Sequence, residues 1–251
     1  MSSVFVGTSG WSYKSWDKTF YPRDVPRTHQ FEFYATQFPT VEVNATFYRL
    51  PSLKMVRGWR DKSPADFVFA IKGSRFITHM KKLSNLGQGL RRYFGRVRPL
   101  VDKTAAVLWQ LPPNLKKDIP RLRKFLRRLP ARYKHALEFR HPSWLDAEMF
   151  ELLEAESAAF VSVSSLGMPM NLTVTADFCY VRFHGLESGA AHDYNREELK
   201  PWAEHIAACS KRGKNVYVYF NNDANVRAPA NAHLLMEMVG SQAQPAFAMA
   251  A

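Results

Sequence analysis

The chain has 251 residues, 46% of them hydrophobic and 14% aromatic, which is the composition of a globular protein with a large core and not of a disordered one. No run approaches the roughly 18 apolar residues that a membrane span needs, and "MSSVFVGTSG" lacks the basic and apolar segments of a signal peptide, so the expectation is a cytoplasmic protein without membrane association. The net charge of +13 favours anionic partners, either small molecules or nucleic acid.

In chain order, alternating apolar stretches predict strands at 3–10, 40–47, 66–73 and 105–113, then at 135–141, 158–165, 178–185 and 215–223. Helical patterns lie between most of them, among them 52–62, 146–157, 195–213 with a plausible Asn195 cap, and 231–240. Leu122, Phe125, Leu126 and Leu129 also recur at helical spacing, with Arg121, Arg123, Lys124, Arg127 and Arg128 between them. Eight strands alternating with helices point to an α/β fold, a single (β/α)8 TIM-type barrel over residues 1–240. The tail 241–251 reads as disordered. A doubly wound sheet is the competitor, but "GTSGWS" after the first strand is not the glycine-rich phosphate loop such a sheet carries.

Each barrel strand points its residues alternately inward and toward the helices. In six strands the helix-facing set is apolar and the inward set turns polar toward the carboxyl end. The inward sets contain Glu42, Asn44 and Thr46; Lys72; Gln110; Glu138 and Arg140; Tyr180, Arg182 and His184; and Tyr217, Tyr219 and Asn221. Charge inside a barrel is costly unless paired or functional, and barrel enzymes place their chemistry at this end. Glu42, Glu138 and His184 are therefore the candidate catalytic groups. Lys72, Arg140 and Arg182 are the candidate holders of a small anionic or phosphorylated substrate, which arginine can grip bidentately. Asn44, Gln110, Asn221 and Tyr219 would orient it, and Trp11, Tyr13, Tyr48 and His141 in the following loops would flank it. The pattern suits a hydrolase or lyase. No cofactor motif is present, and no HxH or HExxH spacing supports a metal, even with His79 or His141 counted. Cys179 and Cys209 stand far apart and read as two reduced thiols. Two alternatives stay open: a nucleic-acid-binding or -processing protein using the basic 91–134 region, and a non-catalytic metabolite-binding barrel. The oligomeric state is not legible.

An ordered series of motifs resembles the YecE-like family, the domain of unknown function 72. It runs through "GTSGWSYKSW" (7–16), "EFYATQFPTVEVNATFYRLPS" (32–52), "FVFAIKGSRFITH" (67–79), "LWQLPP" (108–113), "ALEFRHPSW" (136–144), "YVRFHG" (180–185) and "VYVYFNND" (216–223). The resemblance implies a (β/α)8-type barrel and a common pocket at the inward carboxyl-end positions, but no reaction. It also implies an acidic residue near the end of the sixth strand, where this chain offers Ser162, Ser164 and Ser165 instead.

Overall fold

The structure, a computed structural model, describes residues 2–240 together with 243 and 244. Eight strands form a closed parallel barrel in sequence order: β1 Val4–Ser9, β2 Thr40–Val43, β3 Val68–Lys72, β4 Thr104–Gln110, β5 His135–Glu138, β6 Ala159–Ser165, β7 Phe178–Gly185 and β8 Asn215–Phe220. β8 closes on β1 with Val4 opposite Val216 and Thr8 opposite Phe220. Around it run α1 Gln30–Gln37, α2 Ala45–Tyr48, α3 Leu53–Lys62, α4 Gly87–Val97, α5 Ile119–Leu126, α6 Ala147–Ala155, α7 Arg196–Lys211 and α8 Arg227–Val239. Among the described residues, no helix is long and apolar enough to cross a membrane.

Local chemistry sets where the helices begin. Ser52 accepts from the Met55 N–H, Asp118 from Arg121 and Asp146 from Met149, each a side-chain oxygen satisfying an otherwise orphaned donor. Asn195 and Glu198 form a reciprocal capping box at the start of α7. The last helix begins at Arg227, four residues before the expected 231, because Pro229 falls in its first turn, where a missing N–H costs nothing. α5 stops at Leu126, so Leu129 lies past its end, half-buried against the core. Ala243 pairs with Val4, and the Gln244 N–H donates to the Val4 carbonyl at 2.7 Å. The rest of the tail expected to be disordered lies outside the described residues.

Two apolar layers follow from the alternation. The helix-facing side chains of the strands pack with the helices in the outer layer. The barrel interior is filled by Ala70, Ala106, Leu108 and Ala136 on one side and by Tyr180, Tyr217 and Tyr219 on the other, with Val161 and Val163 between. Small residues on β3 to β5 thus make room for the tyrosines of β7 and β8, so the interior is a packed core and not a pore. Gly7 lets β1 approach β2, since a Cβ there would lie 2.2 Å from the Thr40 carbonyl oxygen.

Several strands end earlier than their apolar patterns. β2 stops at Val43, Asn44 takes a helical conformation, and Ala45–Tyr48 coils as α2. Thr46, expected inward on the strand, instead donates from Oγ1 to the carbonyls of Val43 and Lys72, tying this turn to the end of β3. β5 stops at Glu138 and β8 at Phe220, so Arg140 and Asn221 stand on the rim above their strands.

Candidate functional site

The inward polar residues at the carboxyl end converge on one guanidinium. Arg182, on β7, is fully buried between two fully buried carboxylates. Its Nη2 donates to Glu42 Oε1 at 2.6 Å and its Nη1 to Glu138 Oε2 at 2.5 Å. Glu42 also accepts from Ser9 Oγ at 2.8 Å and from the Tyr180 hydroxyl at 2.7 Å. Glu138 Oε1 accepts from Gln110 Nε2 at 2.8 Å and from Arg140 Nε. His184 Nε2 lies 2.7 Å from Arg140 Nη2 and 3.0 Å from Arg182 Nη1, and its Nδ1 lies 3.2 Å from Asn221 Nδ2.

The electrostatics follow from burial and pairing. Burial pushes the Glu42 carboxyl up, but Arg182 and Lys72 outweigh it, and the net shift is downward. The same contest leaves Glu138 well below the usual carboxylate range, through Arg140, Arg182 and His184. Burial and the Arg182 charge lower His184 to about 4, although Glu138 Oε1 is 3.3 Å from its ring nitrogen. Both carboxylates are thus ionised and the imidazole neutral at pH 7. Lys72, the last residue of β3, is 7% exposed. Burial, then repulsion from Arg182, lowers its ammonium to about 8. Among the described residues its Nζ has no carboxylate within 4.0 Å and faces the Phe47 ring at 4.5 Å from the centroid. Its backbone is held by Thr46 Oγ1 and by the Tyr93 hydroxyl, both donating to the Lys72 carbonyl.

The candidates of the sequence reading divide into two groups. Glu42, Glu138, Arg140, Arg182, His184, Gln110, Asn221 and Lys72 form one cluster. Asn44 joins its edge, donating weakly to the Ser9 carbonyl at 3.4 Å while its buried Oδ1 finds no partner among the described residues. Arg182 is not free to grip a ligand as expected, because both of its Nη atoms are occupied by carboxylates in a closed interior. The glutamates are poor candidates for moving a proton, since deprotonation is what their arginine partners stabilise. Arg182 also stands between them, so a metal bridging Glu42 and Glu138 would have to displace it.

The remaining candidates lie outside the cluster. Tyr219 is fully buried below it, hydrogen-bonded to Thr40 Oγ1 at 2.8 Å. Trp11 packs against Phe31 and Trp59, and Tyr13 donates to the Ser9 carbonyl. His141 caps the turn at Pro142–Trp144, accepting from the Ser143 N–H, and His79 stacks edge-on against Phe47. Tyr48 alone of the loop aromatics is broadly exposed, at 75%. On β6 it is Ser165 that stands in phase with the inward Val161 and Val163, whereas Ser164 Oγ is 2.9 Å from the Tyr194 hydroxyl. Ser9 and Tyr180 are partners of Glu42 that the sequence does not single out. Tyr180 was readable in phase with Arg182, but nothing in the chain announced what its hydroxyl would meet.

Comparison with known proteins decides the family. The family described as protein of unknown function DUF72 matches residues 5–250. The chain belongs to the DUF72 family. Its relatives include UPF0759 protein YunF of Bacillus subtilis (strain 168), 23% identical with 94% of each chain covered. UPF0759 protein YecE of Escherichia coli (strain K12) is 24% identical, over 93% of this chain and 92% of that one. A DUF72 family protein from Thermotoga maritima MSB8 matches this DUF72 barrel with a TM-score of 0.87 at 30% identity, over 94% of this chain and 99% of the other. One from Enterococcus faecalis V583 gives 0.82 at 20% identity, covering 94% and 95%, a likeness of fold alone.

Proposed function

We propose that this DUF72 barrel is an enzyme of hydrolase or lyase type that takes a small anionic or phosphorylated substrate at the carboxyl-end mouth, with Lys72 and Arg140 as the cations that meet it. One observation carries the reading. The cluster sets three cations, Lys72, Arg140 and Arg182, against two carboxylates, and the surplus charge rests on a buried Lys72 with no carboxylate partner among the described residues. A buried ammonium without a counter-ion is costly, and a bound anion supplies one. The Lys72 ionisation near pH 8 also suits it to pass a proton, the role the salt-bridged glutamates fill badly. In this reading Glu42, Glu138 and Arg182 form a rigid base that aims Arg140, while Gln110, Asn221 and the neutral His184 hold the geometry. Two free, buried cysteines suit a reducing compartment, and the proposal places the protein in the cytoplasm.

The test is thermal stabilisation by phosphorylated and carboxylated metabolites at pH 7. A ligand present at about 100 times its Kd should add about 2.7 kcal/mol to the wild type. That gain should vanish in Lys72→Met and weaken progressively above about pH 8, where the free amine loses its proton. Stabilisation by no anion, or an equal response in Lys72→Met, would sink the proposal.

A second reading rests on a separate observation. Arg91, Arg98, Arg123, Lys124, Arg128 and Arg132 make no salt bridge among the described residues, and they line neighbouring concavities on the α4–α5 face, two of about 520 and 370 Å³ sharing Arg128. Unpaired, exposed cations in such number support nucleic-acid binding. Arg123→Gln with Arg128→Gln should then weaken binding and reduce the slope of log K against log salt by about 0.9 per lost phosphate contact on duplex DNA.

A further inference from the structure

The two cysteines, 30 residues apart in the chain, meet in the fold. Alternation along β7 places Tyr180, Arg182 and His184 inward, so Cys179 faces the opposite way, toward the helices. α7 covers that side and presents His205 and Cys209 one helical turn apart on the same face. The ligand atoms of Cys179, His205 and Cys209 all lie within 4.8 Å of one another. Cys209 Sγ is 3.5 Å from His205 Nε2, which matches the edge of about 3.5 Å that a tetrahedral zinc ion imposes between a sulfur at ~2.3 Å and an imidazole nitrogen at ~2.05 Å.

We infer that Cys179, Cys209 and His205 form a zinc site between β7 and α7, on the far side of the strand from the charged cluster. Two thiolates and an imidazole are soft and borderline ligands, the set that selects zinc over magnesium or calcium. Both sulfurs are buried, whereas His205 is half-exposed, so the fourth coordination position opens toward solvent and takes a water molecule. Charge also balances, because two thiolates neutralise one divalent ion and leave no net charge to bury. Zinc binds the two sulfurs as thiolates, and the protons lost by the thiols pass to solvent.

The test uses the full chain, reduced and stripped of metal. Titration with Zn²⁺ against a chromophoric chelator should show one equivalent bound, with Mg²⁺ not competing. Co²⁺ substitution should produce thiolate-to-metal charge-transfer absorption together with the visible bands of a tetrahedral centre. His205→Gln changes a half-exposed residue and preserves the fold, which its thermal melt confirms; it should weaken Zn²⁺ binding by at least roughly 10–100-fold. Cys209→Ser should reduce the charge-transfer absorption, and Cys179→Ser combined with Cys209→Ser should abolish it. No stoichiometric uptake, uptake unchanged in His205→Gln, or a Co²⁺ spectrum lacking thiolate bands would overturn the site.

Discussion

Glu138 at the barrel mouth and Glu156 after α6 each hold an arginine, and the difference between them separates the two basic regions of this molecule. Glu138 is fully buried and shared among Arg140, Arg182 and Gln110. Glu156 meets Arg127 at 2.9 Å where that arginine is 65% exposed. Water screens the second pair and absent water magnifies the first. The α4–α5 face can therefore carry many unpaired cations at little cost, whereas the mouth pairs almost every charge and, among the described residues, leaves Lys72 in surplus. The same composition builds a diffuse attractive surface in one place and a specific cluster in the other.

The largest way to break this comparison is Glu138→Gln. It leaves Arg140 and Arg182 facing each other without their shared carboxylate, and it should cost about 3–5 kcal/mol, read as a lower urea midpoint with an unchanged m-value. A loss under about 1 kcal/mol would show that the mouth is no different from the surface.

Acid should act next. His184 and His135 both sit at about 4 in the folded protein against 6.5 for the ordinary side chain, lowered by burial first. Their folded values are depressed, so between pH 6.5 and 4 the unfolded chain takes up protons that the folded chain refuses. Stability should therefore fall as pH drops through that window, by up to about 3 kcal/mol for each histidine. His184→Gln should remove about half of this pH dependence, measured by denaturant unfolding at pH 7 and pH 4.5. An undiminished slope would mean that His184 is not held neutral by the cluster. The smallest effect belongs to Glu156→Gln, which should change stability by no more than about 1 kcal/mol, and less in high salt.

Most of the fold was legible because a period of two runs through six of the eight strands. β7 was expected at 178–185 and runs over Phe178–Gly185, and its alternation correctly separates Arg182 and His184 from Val181 and Phe183. Strand ends were less legible. The pattern at 40–47 continues through Thr46, but the hydrogen bonds of Thr46 to the Val43 and Lys72 carbonyls favour a helical turn, and only the neighbouring strand supplies the second of them.

The amino-acid sequence by itself determined the strand and helix order, the inward phase and the list of groups that meet at the mouth, because those depend on neighbours two to four positions apart. Closure of the barrel decided their roles. Arg182 looked like a ligand-gripping residue until Glu42, 140 positions away, and Glu138, 44 away, arrived on either side of it. Lys72 became the uncompensated charge of the cluster only because those pairings exclude it. Cys179 and Cys209, unremarkable as a spacing, became neighbours because one strand turns its back on the barrel and one helix lies across it. Pair energies depend on distance and on the water between charges, and both are set by packing.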